Sequence, residues 1–165
     1  MTIPLEEKRF MFERMTLPLK GELFRGARAL AGNDADALDL IQDAYLRAWR
    51  AFPSYREDQR FRPWLFTILR HAHVDACRRK RLRPATADPE VLAETVAAPP
   101  AGPLSEDVQA ALDGLSPTHH ILLVLRDVQG FTYLEMAEIL DWPMGSVMSG
   151  LHHARKALRA RLKPL

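Results

Sequence analysis

The chain has 165 residues, 47% of them hydrophobic and 27% charged, with one cysteine and a formal net charge of +2. Those values exclude a fibrous or wholly disordered protein and fit one or two small domains with ordinary cores. Cys77 alone allows no internal disulfide, no window approaches a membrane span of about 18 apolar residues, and the N-terminal stretch MTIPLEEKRFMFER carries acids where a signal peptide needs an apolar run. A cytoplasmic protein with no membrane insertion is therefore expected.

In the first half, helical periodicity runs over roughly 8–31, 35–51 and 62–81, and nothing alternates like a strand. The second stretch follows Asn33 and Asp34, good capping residues, and stops before Pro53; the third has Pro63 in its first turn, where proline is tolerated. On the second stretch Ala37, Ile41, Ala44, Tyr45, Ala48 and Phe52 form a core face. Leu46 lies roughly 140° away among Asp39, Gln42, Asp43 and Arg50, with Trp49 at the border. A mixed acidic and apolar outer face suits docking to another protein. The third stretch interleaves aromatic and basic residues: Phe61, Arg62, Trp64, Phe66, then Arg70, His71, His73 and the run Arg78, Arg79, Lys80, Arg81. Cations meet phosphates and aromatic faces meet unstacked bases, so this combination suits partly single-stranded nucleic acid. Leu65, Ile68, Leu69 and Trp64 are expected in the core, and the basic run outside it.

Between Arg83 and Ser105 the composition turns to Pro84, Pro89, Pro99, Pro100, Gly102 and Pro103, with the acids Asp88, Glu90 and Glu94 and no aromatic residue. Such a segment cannot build a core and reads as an extended, flexible acidic linker. The fold class is all-α, with two small helical domains over 1–83 and 105–165 joined by a linker over 84–104. The net charge divides accordingly, +6, −1 and −3 for the first domain, the second domain and the linker.

The second half predicts a short helix over 105–114, another from Ser116-Pro117 to about Val128, and a turn through Gln129, Gly130, Phe131 and Thr132. A helix over 133–140, a turn from Asp141 to Gly145 and a last helix over 146–162 follow. That is the helix-turn-helix pattern. Leu134, Ala137, Ile139 and Leu140 are expected to pack on Val147, Leu151, Ala154 and Leu158, with Asp141 in the left-handed turn conformation. With Val147 at the centre of the buried face, Met148, Ser149, His152, Lys156 and Arg159 face solvent. Residues 146–165 hold five Lys/Arg and no acid. A basic outer face on the second helix of such a unit is the footprint of DNA docking, its first residues on base edges and its later turns on phosphates.

The stretches DALDLIQDAYLRAWRAF, FRPWLFTILRHAHVDACRRKRLR and LDGLSPTHHILLVLRDVQGFTYLEMAEILDWPMGSVMSGLHHARKALRARL resemble, in order, regions 2.1–2.2, 2.3–2.4 and 4 of bacterial sigma factors. With no third domain between them, the chain is similar to the extracytoplasmic-function (ECF) group. The resemblance implies partners: core RNA polymerase through its β′ clamp helices and β flap, promoter DNA, and an anti-sigma factor. It implies that Asp39, Gln42, Asp43, Leu46 and Trp49 dock on the clamp helices. It implies that the loop from Pro53 to Arg60, including Arg56 and Arg60, joins Phe61 in capturing a flipped base of the −10 element, and that Trp64 belongs to the same −10 contact. Thr67, Arg70, His71, Val74 and Arg78, Arg79, Lys80 and Arg81 would then hold the −10 strand. At the −35 element, Ser146, Met148, Ser149, His152 and Lys156 would face DNA, with Arg155 and Arg159 near phosphates. The linker would pass through the polymerase cleft and RNA exit channel. Thr67 and His71 stand where the family has asparagine or arginine, and Ser146 to Leu151 replaces the common T-V-[KR]-S-R-L, with the loss of two cations. Those departures lie where promoter choice is written.

Two other readings are weaker. A free-standing helix-turn-helix regulator would need a dimerisation surface and would not need the face around Leu46. A hydrolase or metal enzyme would have to use His71 and His73, His119 and His120, or His152 and His153, but such neighbours diverge by roughly 100° or more on a helix. No H-E-x-x-H set is present, so no catalytic residue, metal or cofactor is expected, and Cys77 reads as a buried small residue.

Overall fold

The computed structural model describes residues 3–82 and 104–162, and among them every regular element is helical. The helices are α1 (Leu5–Thr16), α2 (Lys20–Ala31), α3 (Asp34–Ala51), α4 (Phe61–Leu82), α5 (Glu106–Asp113), α6 (Pro117–Leu123), α7 (Tyr133–Leu140) and α8 (Met144–Arg161). The all-α expectation holds. The linker reading, with Asp88, Glu90 and Glu94, falls outside the described residues.

The single helix expected over 8–31 is instead two. Pro18 has no N–H to continue the ladder, and Leu17–Leu19 form a tight 3-10 turn between α1 and α2. Gly32 closes α2 at φ 87°, a left-handed conformation that glycine adopts without a Cβ penalty. The Asn33 side chain then caps α3 by accepting from the Asp36 N–H at 2.8 Å. Against α2 and α4, α3 buries Ala37, Leu40, Ala44 and Ala48. Ile41 and Tyr45 are half-buried rather than central, because Leu40 takes the inner position.

In the second half Ser105 and Ser116 cap α5 and α6 through their hydroxyls. The last turns of the helix expected to reach Val128 widen into a π-helical turn, Val124–Val128. A reciprocal capping box opens α7, with Glu135 N–H donating to Thr132 Oγ1 at 3.1 Å and Thr132 N–H donating to Glu135 Oε1 at 3.2 Å. Asp141 adopts φ 54° and ψ 48°, the left-handed turn expected of it. Pro143 starts α8, so Met144 and Gly145 belong to the helix rather than to the turn. Val147, Leu151 and Ala154 are buried as expected, and Leu158 partly so. Leu134 does not join them and is 53% exposed. The buried stripe of α7 runs through Met136, Ile139 and Leu140, which puts Leu134 on the opposite side of the helix.

The two halves share one core. Leu23, Leu30, Leu65, Phe66 and Leu69 lie in the same buried cluster as Leu122, Leu125, Phe131 and Met136. Phe66 and Phe131 meet edge to face at 4.9 Å. Polar contacts hold both ends of the seam. At one end, Gln109 and His120 each donate from Nε2 to the Ala29 carbonyl, at 3.1 and 2.7 Å. At the other, the Arg62 guanidinium bonds Glu22 at 2.8 Å, donates to the Gln129 carbonyl and lies 3.8 Å over the Phe131 ring. The Gln129 amide turns its oxygen to Gly26 N–H at 2.8 Å and its nitrogen to the Glu22 carbonyl at 3.1 Å.

Candidate functional site

Three surfaces carry the residues singled out from the sequence. On α3, Asp39 and Gln42 are exposed, Leu46 is 51% exposed and Asp43 is half-buried. An open groove of about 510 Å³ runs between α3 and α4, lined in part by Leu40, Leu46, His73 and Cys77. Its rim is a charge lattice. Arg47 bridges Asp43 at 3.1 Å and Asp75 at 2.8 Å, Arg79 lies 3.7 Å from Asp43, and Lys80 bonds Asp36 at 2.7 Å. The Lys80 bond holds the Asp36 carboxyl below the usual range, and the Arg47 bond does the same for Asp75. Burial pushes the His73 imidazole down to about 4, so it is neutral at physiological pH. The Cys77 sulfur sits 3.6 Å from His73 Nε2 and is half-buried rather than sealed in the core. Trp49 meets Phe12 edge to face at 5.3 Å beneath the Lys8 ammonium at 3.9 Å. Sequence reasoning missed this cover from α1, although Lys8 and Phe12 stand four residues apart on one helix face.

The second surface is an aromatic nest at the start of α4. Tyr55 packs on Phe52, Phe61 and Trp64 with centroids 5.9, 5.4 and 5.2 Å away, and Phe61 lies 5.4 Å from Trp64. Trp64 is therefore half-buried in a surface cluster and Ile68 is also only half-buried, whereas Leu65, Phe66, Leu69 and Ala72 are the core residues of this helix. Phe61 and Trp64 lie in the first turn of α4, where they meet Tyr55 of the preceding loop. Tyr55, which sequence reasoning did not single out, is the centre of the nest, and its hydroxyl donates to the Gln59 carbonyl at 2.7 Å. Arg56 and Arg60 are exposed in the adjoining loop, Arg56 beside Asp58 at 3.0 Å. Thr67 donates its hydroxyl to the Pro63 carbonyl at 2.8 Å, Arg70 and Val74 are half-buried, and His71 is exposed. The terminal basic run divides by helical angle: Arg78 and Arg81 project to solvent, while Arg79 and Lys80, also exposed, reach back to the acids of α3.

The third surface is α8. Ser146, Met148, Ser149, His152, Lys156 and Arg159 are all exposed, the face expected from the buried position of Val147. Arg155 bonds Asp127 at 2.7 Å, and Arg159 donates to the Arg155 carbonyl at 3.3 Å. Gly150 belongs to a different side. A Cβ there would stand 2.9 Å from Leu122 Cδ1, so of the two positions at which cations are lost, only Met148 faces outward.

Among the described residues no helix is long and apolar enough to cross a membrane. A helix-turn-helix whose outer helix is basic, packed on a helical lobe whose α4 carries an aromatic nest at its start and a cationic run at its end, is the build of a nucleic-acid-binding protein. The family models for Sigma-70 region 2 and Sigma-70 region 4 match residues 18–83 and 105–158. The ECF RNA polymerase sigma factor SigE of Mycolicibacterium smegmatis is 33% identical over 83% of this chain and 56% of its own length. The RNA polymerase sigma factor YlaC of Bacillus subtilis is 33% identical over 76% of this chain and 77% of its own. The sigma factor RpoE of Bartonella quintana, solved in complex with the anti-sigma factor NepR, superposes with a TM-score of 0.73 at 32% identity, covering 92% of this chain and 96% of that one. The chain belongs to the sigma-70 family of RNA polymerase sigma factors, in its extracytoplasmic-function group.

Proposed function

We propose that this chain binds core RNA polymerase in the cytoplasm and directs it to promoters, with residues 1–83 on the polymerase and the −10 element and residues 105–165 on the −35 element. The polymerase supplies the chemistry. Exposed Leu46 among Asp39, Gln42 and Asp43 supports docking on the β′ clamp helices. The nest of Tyr55, Phe61 and Trp64 beside Arg60, with Arg78 farther along α4, suits a flipped base and the strand that continues from it. The exposed face of α8 suits the major groove, and the second domain would meet the β flap. The observation that carries the reading is the occurrence of both regions, in order, on one chain. By likeness to the Bartonella factor, an anti-sigma factor would hold the chain inactive.

The closed arrangement bears on how such a factor works. Elements centred 25 nucleotides apart lie about 85 Å apart along B-form DNA. A compact chain of this length is only roughly 40 Å across. One closed body cannot engage both elements, so the seam between Arg62, Phe66 and Phe131 has to part. Fully extended, the chain from Leu82 to Leu104 reaches about 70 Å, enough to let the two helical lobes cover the distance.

The test pairs two substitutions. Leu46→Asp abolishes binding to purified core polymerase, whereas Lys156→Ala leaves core binding intact and weakens promoter binding. If Leu46→Asp binds core like the native chain, the docking face is misassigned.

A further inference from the structure

The first turns of α8, which meet base edges in a helix-turn-helix complex, carry an unusual set of side chains. Met148 is 52% exposed, and Met144, one turn earlier on the same side, is 43% exposed. Around them Ser146, Ser149 and His152 are exposed. Residues 144–154 contain no Lys or Arg, and the next cation, Arg155, is bonded to Asp127. The cations of α8 thus begin where phosphates, not bases, are reached. Guanine is most often read by a bidentate Arg or Lys on O6 and N7, and the base-facing turns offer neither. The apolar feature of the major groove is the C5 methyl of thymine. Two thioether side chains held half out of the fold, on a helix otherwise polar and basic outside, match that feature. Being unbranched and polarizable, methionine fits a methyl group of uncertain position well.

We propose that Met148, assisted by Met144, is a specificity-determining residue that reads thymine methyl groups, so that the −35 element of this factor carries a T·A pair where Met148 enters the groove. The proposal rests on the sigma-factor reading and deepens it by naming the base chemistry of the −35 contact. Gly150 takes no part, because it faces Leu122.

The experiment uses the full chain with core polymerase. Duplexes with a randomised −35 region are selected for binding, and each thymine of the selected sequence is replaced singly by deoxyuridine, which removes only the methyl group. At one or two positions the affinity falls about fourfold, the value of one buried methyl. On the thymine duplex Met148→Ala causes a similar loss, and deoxyuridine at the same position then costs nothing more, whereas Met148→Leu keeps the preference. Neutral deoxyuridine at every position overturns the proposal. So does a methyl effect that persists unchanged in Met148→Ala, or selection of guanine opposite Met148. A holoenzyme that selects no sequence and initiates nowhere refutes the sigma reading itself and this proposal with it.

Discussion

Replacing Arg62 by methionine keeps most of the side chain's apolar stem and removes its charge. Arg62 donates to the Gln129 carbonyl across the seam, lies 4.0 Å from Glu135 and covers Phe131 at 3.8 Å. A hydrogen bond from a charged donor contributes about 1.5–3 kcal/mol and a cation–π contact about 1 kcal/mol. The Arg62 side chain is 27% exposed, so solvent screening lowers the total. A net loss of about 2 kcal/mol in closed-state stability remains, a factor of roughly 30 in the balance between closed and open forms. Glu22 and Glu135 would add to the loss, because they then share the seam without the guanidinium between them. Small-angle scattering of Arg62→Met therefore gives a larger radius of gyration than the native chain. Any binding that needs the open form, such as simultaneous engagement of both promoter elements, strengthens by up to about thirtyfold, because a larger fraction is competent to bind. Dimensions unchanged from those of the native chain would refute the part given to Arg62 in holding the seam closed.

Further expectations concern stability. Burial depresses the His73 and His120 imidazoles, His73 to about 4, so the unfolded chain takes up protons that the folded chain refuses. Stability is fully present above about pH 6.5 and falls as the pH drops toward 4, with His73 alone removing up to about 2 kcal/mol by pH 5. Urea midpoints at pH 7.5 and 5 check this, and a midpoint that is flat or rises on acidification contradicts it. Gly150→Arg, which restores the family-typical cation, drives a Cβ to within 2.9 Å of buried Leu122. The expected cost is about 1–3 kcal/mol from overpacking, read as a lower melting temperature; an unchanged melting temperature would show that Leu122 gives way freely.

Local physics made much of the fold legible. The α7 bounds, the left-handed Asp141 and the solvent face of α8 follow from capping residues, turn chemistry and the 3.6-residue period, all read within a few positions. The exposure of Leu46 follows from the same period. Legibility ended where two stripes competed on a short helix: in α7, Met136 took the inner place and Leu134 the outer. At Pro18 a continuing apolar pattern hid the break between α1 and α2. The seam was not legible at all. Arg62 finds its carbonyl 67 residues away and His120 finds Ala29 at a separation of 91, and no local pattern encodes such pairings. The same holds for the candidate site: Tyr55 became visible only once the loop folded it against Phe61 and Trp64.

The most direct test of the central claim is run-off transcription with purified core RNA polymerase on genomic fragments that the reconstituted holoenzyme selects. Addition of this chain is predicted to give discrete transcripts from defined start sites, each preceded by −10 and −35 elements. Core polymerase that yields the same products with and without the chain, on every selected fragment, would contradict the account.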